Sequence, residues 1–280
     1  MNTTLLLQGP GLGTPDAETI ARRLGGRLRG CPHGFRIEMP APPDPGILAA
    51  LRDKHRCDIN SLPREFDPGS VGLVISDMDS TFIGIECIDE IADHAGLKPQ
   101  VAAITAAAMR GEIDFETSLT RRVGLLAGLP ETVLEQVYER RLRLNPGAQE
   151  LVEGLHARRI PFALVSGGFT FFTTRLQARY GLDFTLANEL EIEHGRLTGR
   201  VRGKIVGAQA KADFLEQLCA RLDISPHRTI AIGDGANDLP MLQHAGLGVA
   251  YHAKPALKAV ADLCFDHCGL DALLALFDAC

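Results

Sequence analysis

The chain has 280 residues, 45% hydrophobic and 23% charged, with a formal net charge of −6. That is enough apolar material for one large or two modest cores. The negative balance and the absence of a basic run argue against nucleic-acid binding, and no stretch approaches the roughly 20 apolar residues of a membrane span.

The first segment, "TTLLLQGP", is a strand by its apolar run; without a basic flank or a small-residue cleavage site it does not read as a signal peptide. Helix-like "TPDAETIARRLGG", alternating "GFRIEMP" and helix-like "PDPGILAALRDKH" follow, a βαβα pattern with no Gly-rich phosphate loop. "REFDPGSVG" has the composition of a linker. The expected division is a small N-terminal α+β domain over 1–68 and a larger unit over 69–280.

From Val71 the pattern changes. "VGLVIS", "IPFALVSGG", "RTIAIGDGAND" and "GLGVAY" are short apolar runs ending in small or polar residues. Such runs are the strands of a parallel sheet buried on both faces. Helix-like segments alternate with them, at 171–181 and 210–222 among others, so the expected fold class is α/β, a Rossmann-like doubly wound parallel sheet. Between the first two core strands, "ECIDEIADHAG", "KPQVAAITAAAMRG", "DFETSLTRRVGLLAG" and "PETVLEQVYERRLRL" are four helical patterns. They predict a helical cap inserted over about 84–150, above the sheet edge. "NELEIEHGRLTGRVRG", 188–203, predicts a β-hairpin around "HGR". The seven cysteines carry no zinc-type spacing and are expected as buried or free thiols in a cytoplasmic protein.

Chemistry gathers at three strand ends. "DMDST" sets Asp77 and Asp79 one residue apart behind an apolar strand. The glycines and hydroxyl of Ser166-Gly167-Gly168 can hydrogen-bond a bound oxyanion. Lys211 offers a point charge to a phosphate. "GDGAND" adds Asp234, Asn237 and Asp238, hard oxygen donors suited to Mg2+. Each element alone has an ordinary explanation as a solvated loop, a turn or a surface helix residue. Together they fit one reaction, in which a carboxylate attacks phosphorus and a cation offsets anion repulsion of about 4 kcal/mol per pair.

In order and spacing, "DMDST", "SGG", the lysine of "KADF" and "GDGAND" resemble the four motifs of the haloacid dehalogenase-like phosphatases. "TRRVGLLAGLP", "VSGGFTFFT" and "ANELEIEHGRLTGRV" are similar to the branch of that family that dephosphorylates phosphoserine. The resemblance implies Mg2+-dependent hydrolysis of O-phospho-L-serine, the last step of serine biosynthesis, through an aspartyl-phosphate. It implies Asp77 as nucleophile and metal ligand, and Asp79 as general acid/base with its carbonyl on the metal. Asp234 would complete the metal ligands, supported by Asp238. Ser166, Gly167 and Lys211 would bind phosphate, with Asn237 nearby. Glu86 would read the substrate's ammonium and Arg122, more than Arg121, its carboxylate, while Met109 and Phe115 would shield the site. As plain core or surface residues those four would look the same. Relatives that pass the phosphoryl group to homoserine, or that hydrolyse other small phosphomonoesters, keep the fold and change the acceptor. A catalytically dead amino-acid sensor is a third reading, opposed by a competent residue at every catalytic position. The N-terminal segment is similar to a shortened or incomplete ACT-like domain, for which effector binding, a homodimer contact or simple packing all stay open.

Overall fold

The computed structural model describes residues 3–278. Strand β1 (Thr3–Gln8), helix α1 (Thr14–Leu24), strands β2 (Arg27–Cys31) and β3 (Gly34–Met39), helix α2 (Pro45–His55) and strand β4 (Asp58–Ser61) form the N-terminal unit. Its sheet is antiparallel in the order β2-β3-β1-β4, the split βαβ arrangement. Two of these strands, β2 and β4, are absent from the βαβα expectation, so the unit is a complete βαββαβ. "RLRGC" lacks the apolar alternation that marks a strand because it lies half-exposed on a sheet edge, and "DINS" because its buried Asp58 and Asn60 bond to the main sheet's backbone. Leu5 and Leu7 pack with Ala17, Ile20 and Leu51 of the helices. Leu6, on the opposite face by strand alternation, joins the main core.

The larger unit begins with β5 (Leu73–Asp77), then the cap helices α3 (Cys87–His94), α4 (Lys98–Met109), α5 (Phe115–Gly124) and α6 (Thr132–Arg140). Helix α7 (Ala148–Ala157), β6 (Phe162–Phe169), α8 (Thr170–Tyr180), and the hairpin β7 (Phe184–Glu193) and β8 (Arg196–Arg202) follow. The chain closes with α9 (Ala208–Leu222), β9 (Thr229–Gly233), α10 (Leu239–His244), β10 (Leu247–Tyr251), α11 (Pro255–Lys258), β11 (Leu263–Phe265) and a 3-10 helix, Leu270–Phe277. The seven-stranded sheet runs β11-β10-β9-β5-β6-β7-β8, parallel except for β8. Every residue of β5, β9 and β10 is buried, which is why their sequences are mostly apolar. The hairpin turns at His194 and Gly195, with φ of 51° and 72°, the left-handed pair a two-residue hairpin requires.

The chain leaves β5 for β6 and β7 on one side and returns for β9 to β11 on the other. The end of β5 is therefore the topological switch point, where such sheets bind ligands. A short neck joins the cap to the sheet: Gly84 N–H donates to the Arg143 carbonyl (2.9 Å) and Asn145 N–H to that of Phe82 (3.0 Å). On its far side the cap is laced to the hairpin, Gly128 N–H donating to the Leu197 carbonyl (2.8 Å) and Glu131 N–H to that of Gly195 (2.9 Å).

The N-terminal unit is fastened to the sheet by polar side chains. Asp58 accepts from the backbone N–H groups of Asp266, His267 and Cys268 at 3.0–3.1 Å. Asn60 exchanges two amide hydrogen bonds with the backbone of Cys264, both 2.9 Å. Gln8 and Arg36 donate to carbonyls of the 3-10 helix. Cys57, Cys87, Cys219, Cys264 and Cys268 are free thiols as expected, whereas Cys31 is disulfide-bonded, a correction to the reading of all cysteines as thiols. Cys280 lies outside the described residues. Among the described residues no helix is long and apolar enough to cross a membrane.

Candidate active site

Three strands deliver the candidate residues to one place. Asp77 is the last residue of β5 and is buried. Asp79 follows on a turn in which Ser80 takes a left-handed φ of 60°, so the two carboxylates approach the same cleft along different directions. Neither oxygen of Asp79 is idle. Its Oδ1 accepts from the Cys87 backbone N–H at the start of α3 (2.8 Å), and its Oδ2 from the Ser166 hydroxyl (2.8 Å).

Strand β6 does not stop before Ser166, as its sequence suggests. It continues to Phe169, with its pairing to β7 slipping between Val165 and Phe169. A bulge of this kind re-aims the backbone at a strand end, and the glycines are needed there. A Cβ on Gly168 would stand 2.6 Å from Asp79 Oδ2, and one on Gly167 would stand 2.8 Å from the Phe115 ring. Asn188, buried in β7, donates to the Gly167 carbonyl (2.8 Å) and accepts from Val206 N–H (2.8 Å). One amide thus braces both the bulge and the chain entering α9.

Lys211 is fully buried on α9. Its ammonium pairs with Asp77 and, at 2.6 Å, with Asp238. Those two carboxylates hold its pKa above the ordinary lysine value against the opposing effect of burial. The structure thus places the expected phosphate ligand on the expected nucleophile, Asp77. Asp238 also accepts from Asp234 N–H (3.2 Å) and Gly235 N–H (3.0 Å), tying the third strand end together.

Asp77, Asp234 and Asp238 each bring a carboxylate oxygen to within 4.8 Å of the others. Burial lifts the Asp77 carboxyl well above its usual range; Lys211 opposes this, and Asp238 and Asp79 add repulsion. Asp234 is raised to about 6 by burial and by Asp238. Lys211 within the cluster and Lys254 beside Asp234 are two cations against the carboxylates of Asp77, Asp79, Asp234 and Asp238, so anionic charge remains uncompensated. An all-oxygen donor set of this kind fits a hard divalent cation.

The cleft above has a volume of about 600 Å³ and opens between sheet and cap. Asp77, Asp79, Glu86, Arg122, Gly167, Asp234, Asn237, Met109 and Phe115 all line it. Met109 is 68% exposed at the end of α4, so it forms the rim and not a packed core. Glu86 accepts from the Ser80 hydroxyl (2.7 Å). It touches the water of the cleft, yet protein surrounds it on most sides, and this desolvation with the nearby Asp79 lifts its carboxyl to about 7. Arg122 faces the cleft and Arg121 faces solvent, since only the former shares the inward side of α5. Burial lowers the Arg122 pKa, opposed by Asp89 and Glu86.

Several residues of the site carry no sequence signal of their own. Asn145 donates to the carbonyls of Ser80 (3.3 Å) and Thr81 (2.8 Å) and holds the strained turn. Asn188 is one polar residue in an alternating strand, and Lys254 reaches the cleft from the loop after β10.

The chain matches the family model described as haloacid dehalogenase-like hydrolase over residues 74–243. A phosphoserine phosphatase of Albidiferax ferrireducens is 52% identical over 210 residues, 73% of this chain and 89% of that protein. Among solved structures, a HAD family hydrolase from Salmonella enterica subsp. enterica serovar Typhi superposes with a TM-score of 0.88 at 34% identity, covering 98% of both chains. A probable phosphoserine phosphatase from Vibrio cholerae gives 0.84 at 38% identity, over 98% of this chain and 85% of its own. With a matching family model across most of the larger unit and its aspartates gathered at the switch point, the chain belongs to the haloacid dehalogenase-like hydrolases.

Proposed function

We propose that this chain hydrolyses O-phospho-L-serine to L-serine and phosphate with Mg2+ as cofactor, the last step of serine biosynthesis. The observation that carries the reading is the charge pattern of one cleft. A buried nucleophilic carboxylate, Asp77, lies at its floor, with a carboxylate, Glu86, and a guanidinium, Arg122, on its cap side. Those two groups complement an ammonium and a carboxylate, and relatives 52–54% identical to this chain are named phosphoserine phosphatase.

In this reading an Asp77 oxygen attacks phosphorus and the bond from phosphorus to the serine oxygen breaks. The leaving alkoxide takes its proton from Asp79, which Cys87 N–H and the Ser166 hydroxyl hold in place. Asp79, now ionised, removes a proton from water. The resulting hydroxide attacks phosphorus, and the acyl-phosphate bond breaks to restore Asp77. Lys211 favours the ionised form of Asp77 against the effect of burial and, with Ser166 and the Gly167 backbone, receives the phosphoryl oxygens. Asp77, Asp234 and the Asp79 carbonyl would hold Mg2+, with Asp238 beside them; when bound it supplies charge neutralisation between nucleophile and phosphate. Met109 and Phe115 shield the reacting groups from water.

Steady-state hydrolysis of phosphoserine with Mg2+, and after chelation by EDTA, tests the reading directly. Turnover is expected only with the metal. Asp77→Asn cannot form an acyl phosphate, and normal turnover in that variant would refute the mechanism.

A further inference from the structure

Ser118 lies on α5, one helical turn before Arg122, and lines the cleft with it. The residue is 1% exposed and its hydroxyl has no hydrogen-bond partner among the described residues. A helical hydroxyl has a ready partner in the carbonyl four residues back. Thr19 uses it, donating to Pro15 (2.8 Å), and so does Thr105, donating to Val101 (3.1 Å). Ser118 does not: the Asp114 carbonyl receives only its backbone N–H, at 3.0 Å. Leaving a buried hydroxyl unsatisfied costs folding free energy, and such a group calls for an explanation.

The neighbouring guanidinium is poised in a similar way. Arg122 Nε makes one long contact with the Ser118 carbonyl (3.4 Å), and no ion pair engages its terminal nitrogens among the described residues. Residues four apart share a helix face. That face of α5 therefore presents an unpartnered hydroxyl donor next to a two-pronged cationic donor.

We infer that Ser118 is a specificity-determining residue whose hydroxyl donates to the substrate's carboxylate beside the Arg122 fork. The inference rests on the proposed substrate class and adds to Arg122 a second group that distinguishes a phosphorylated amino acid from a phosphorylated amine.

Kinetics of Ser118→Ala on two substrates test it. O-phospho-L-serine carries ammonium and carboxylate, whereas O-phosphoethanolamine carries the ammonium alone. For phosphoserine, KM should rise about tenfold, the order expected for one hydrogen bond to a charged group, with kcat within about twofold. For phosphoethanolamine kcat/KM should be unchanged, which also reports that the variant is folded. Ser118→Cys, similar in volume but a weak donor, should give the same split and serves if the alanine variant does not fold. An unchanged KM for phosphoserine overturns the inference, and so does an equal loss on both substrates. A wild-type protein that does not turn over phosphoserine instead overturns the substrate reading beneath it.

Discussion

Lys211→Met removes the ammonium from the floor of the site while keeping most of the side chain's apolar stem. The buried carboxylates of Asp77 and Asp238 then face each other with no cation between them. Removing one partner of a buried ion pair costs about 3–5 kcal/mol, and at about 2–4 °C per kcal/mol the melting temperature should fall by roughly 6–20 °C in EDTA. The loss should depend on pH with a definite sign. Without Lys211, burial and mutual repulsion raise at least one carboxyl further above its ordinary 3.8 in the folded state. That folded state then holds a proton the unfolded chain has released, so the variant loses stability as pH rises through the raised value. Thermal unfolding followed by circular dichroism at about pH 5 and about pH 8 reads both effects, and the deficit should be larger at pH 8. Adding Mg2+ should narrow it, because the same carboxylates are the proposed metal ligands. A variant that melts within about 2 °C of wild type at both pH values would show that Lys211 is not the counter-charge of these carboxylates.

Three further outcomes follow from individual contacts. Glu86 is raised to about 7, so it loses its charge as pH falls below that value. KM for phosphoserine should then rise by up to about tenfold per pH unit. Glu86→Gln should remove this step and leave the ionisations near pH 6 of the substrate phosphate and of Asp234, which a pH series on both proteins would separate from it. Gly168→Ala puts a Cβ against Asp79 Oδ2 and within 3.0 Å of the Ser166 hydroxyl. It should lower kcat by about 100-fold through displacement of Asp79, the proposed acid, with KM little changed, and near-normal kcat would contradict that placement. Asp58→Ala leaves three backbone N–H groups of residues 266–268 without their acceptor. The cost should be about 2–4 kcal/mol in denaturant titration, with turnover per folded molecule unchanged.

The sequence discloses what is written locally. Unbroken apolar runs at Leu73–Ile75 and Phe162–Val165 mark buried parallel strands because both faces of this sheet are covered. Asp77 and Asp79 are legible because a carboxylate pair is out of place behind such a run. What the chain does not announce is long-range partnership. Strand β4 is short and polar because Asp58 and Asn60 are spent on the backbone of β11 and the loop behind it, some 200 positions away. Lys211 reads as a surface helix residue until two aspartates from other strand ends are found on its ammonium. Ser166 reads as part of a turn, although its hydroxyl is already engaged by Asp79. Asn145 and Asn188 look like any asparagine, since their task is to hold main-chain groups that only the folded chain brings near.

The C-terminal 3-10 helix bears on how this protein is made. The N-terminal sheet is tied to it through the amide of Gln8 on the Ala272 carbonyl and the guanidinium of Arg36 on those of Ala275 and Leu276, and Leu6 shares the main core with its leucines. That partner is synthesised about 260 residues later, which at 5–20 residues per second is a delay of roughly 13–52 s on the ribosome. During that interval the first strand has its helices and sister strands but no cover on its second face. Nascent chains stalled before the 3-10 helix would therefore expose a half-finished sheet, so the time a chaperone stays bound should depend on the last turn of the fold and not on the first.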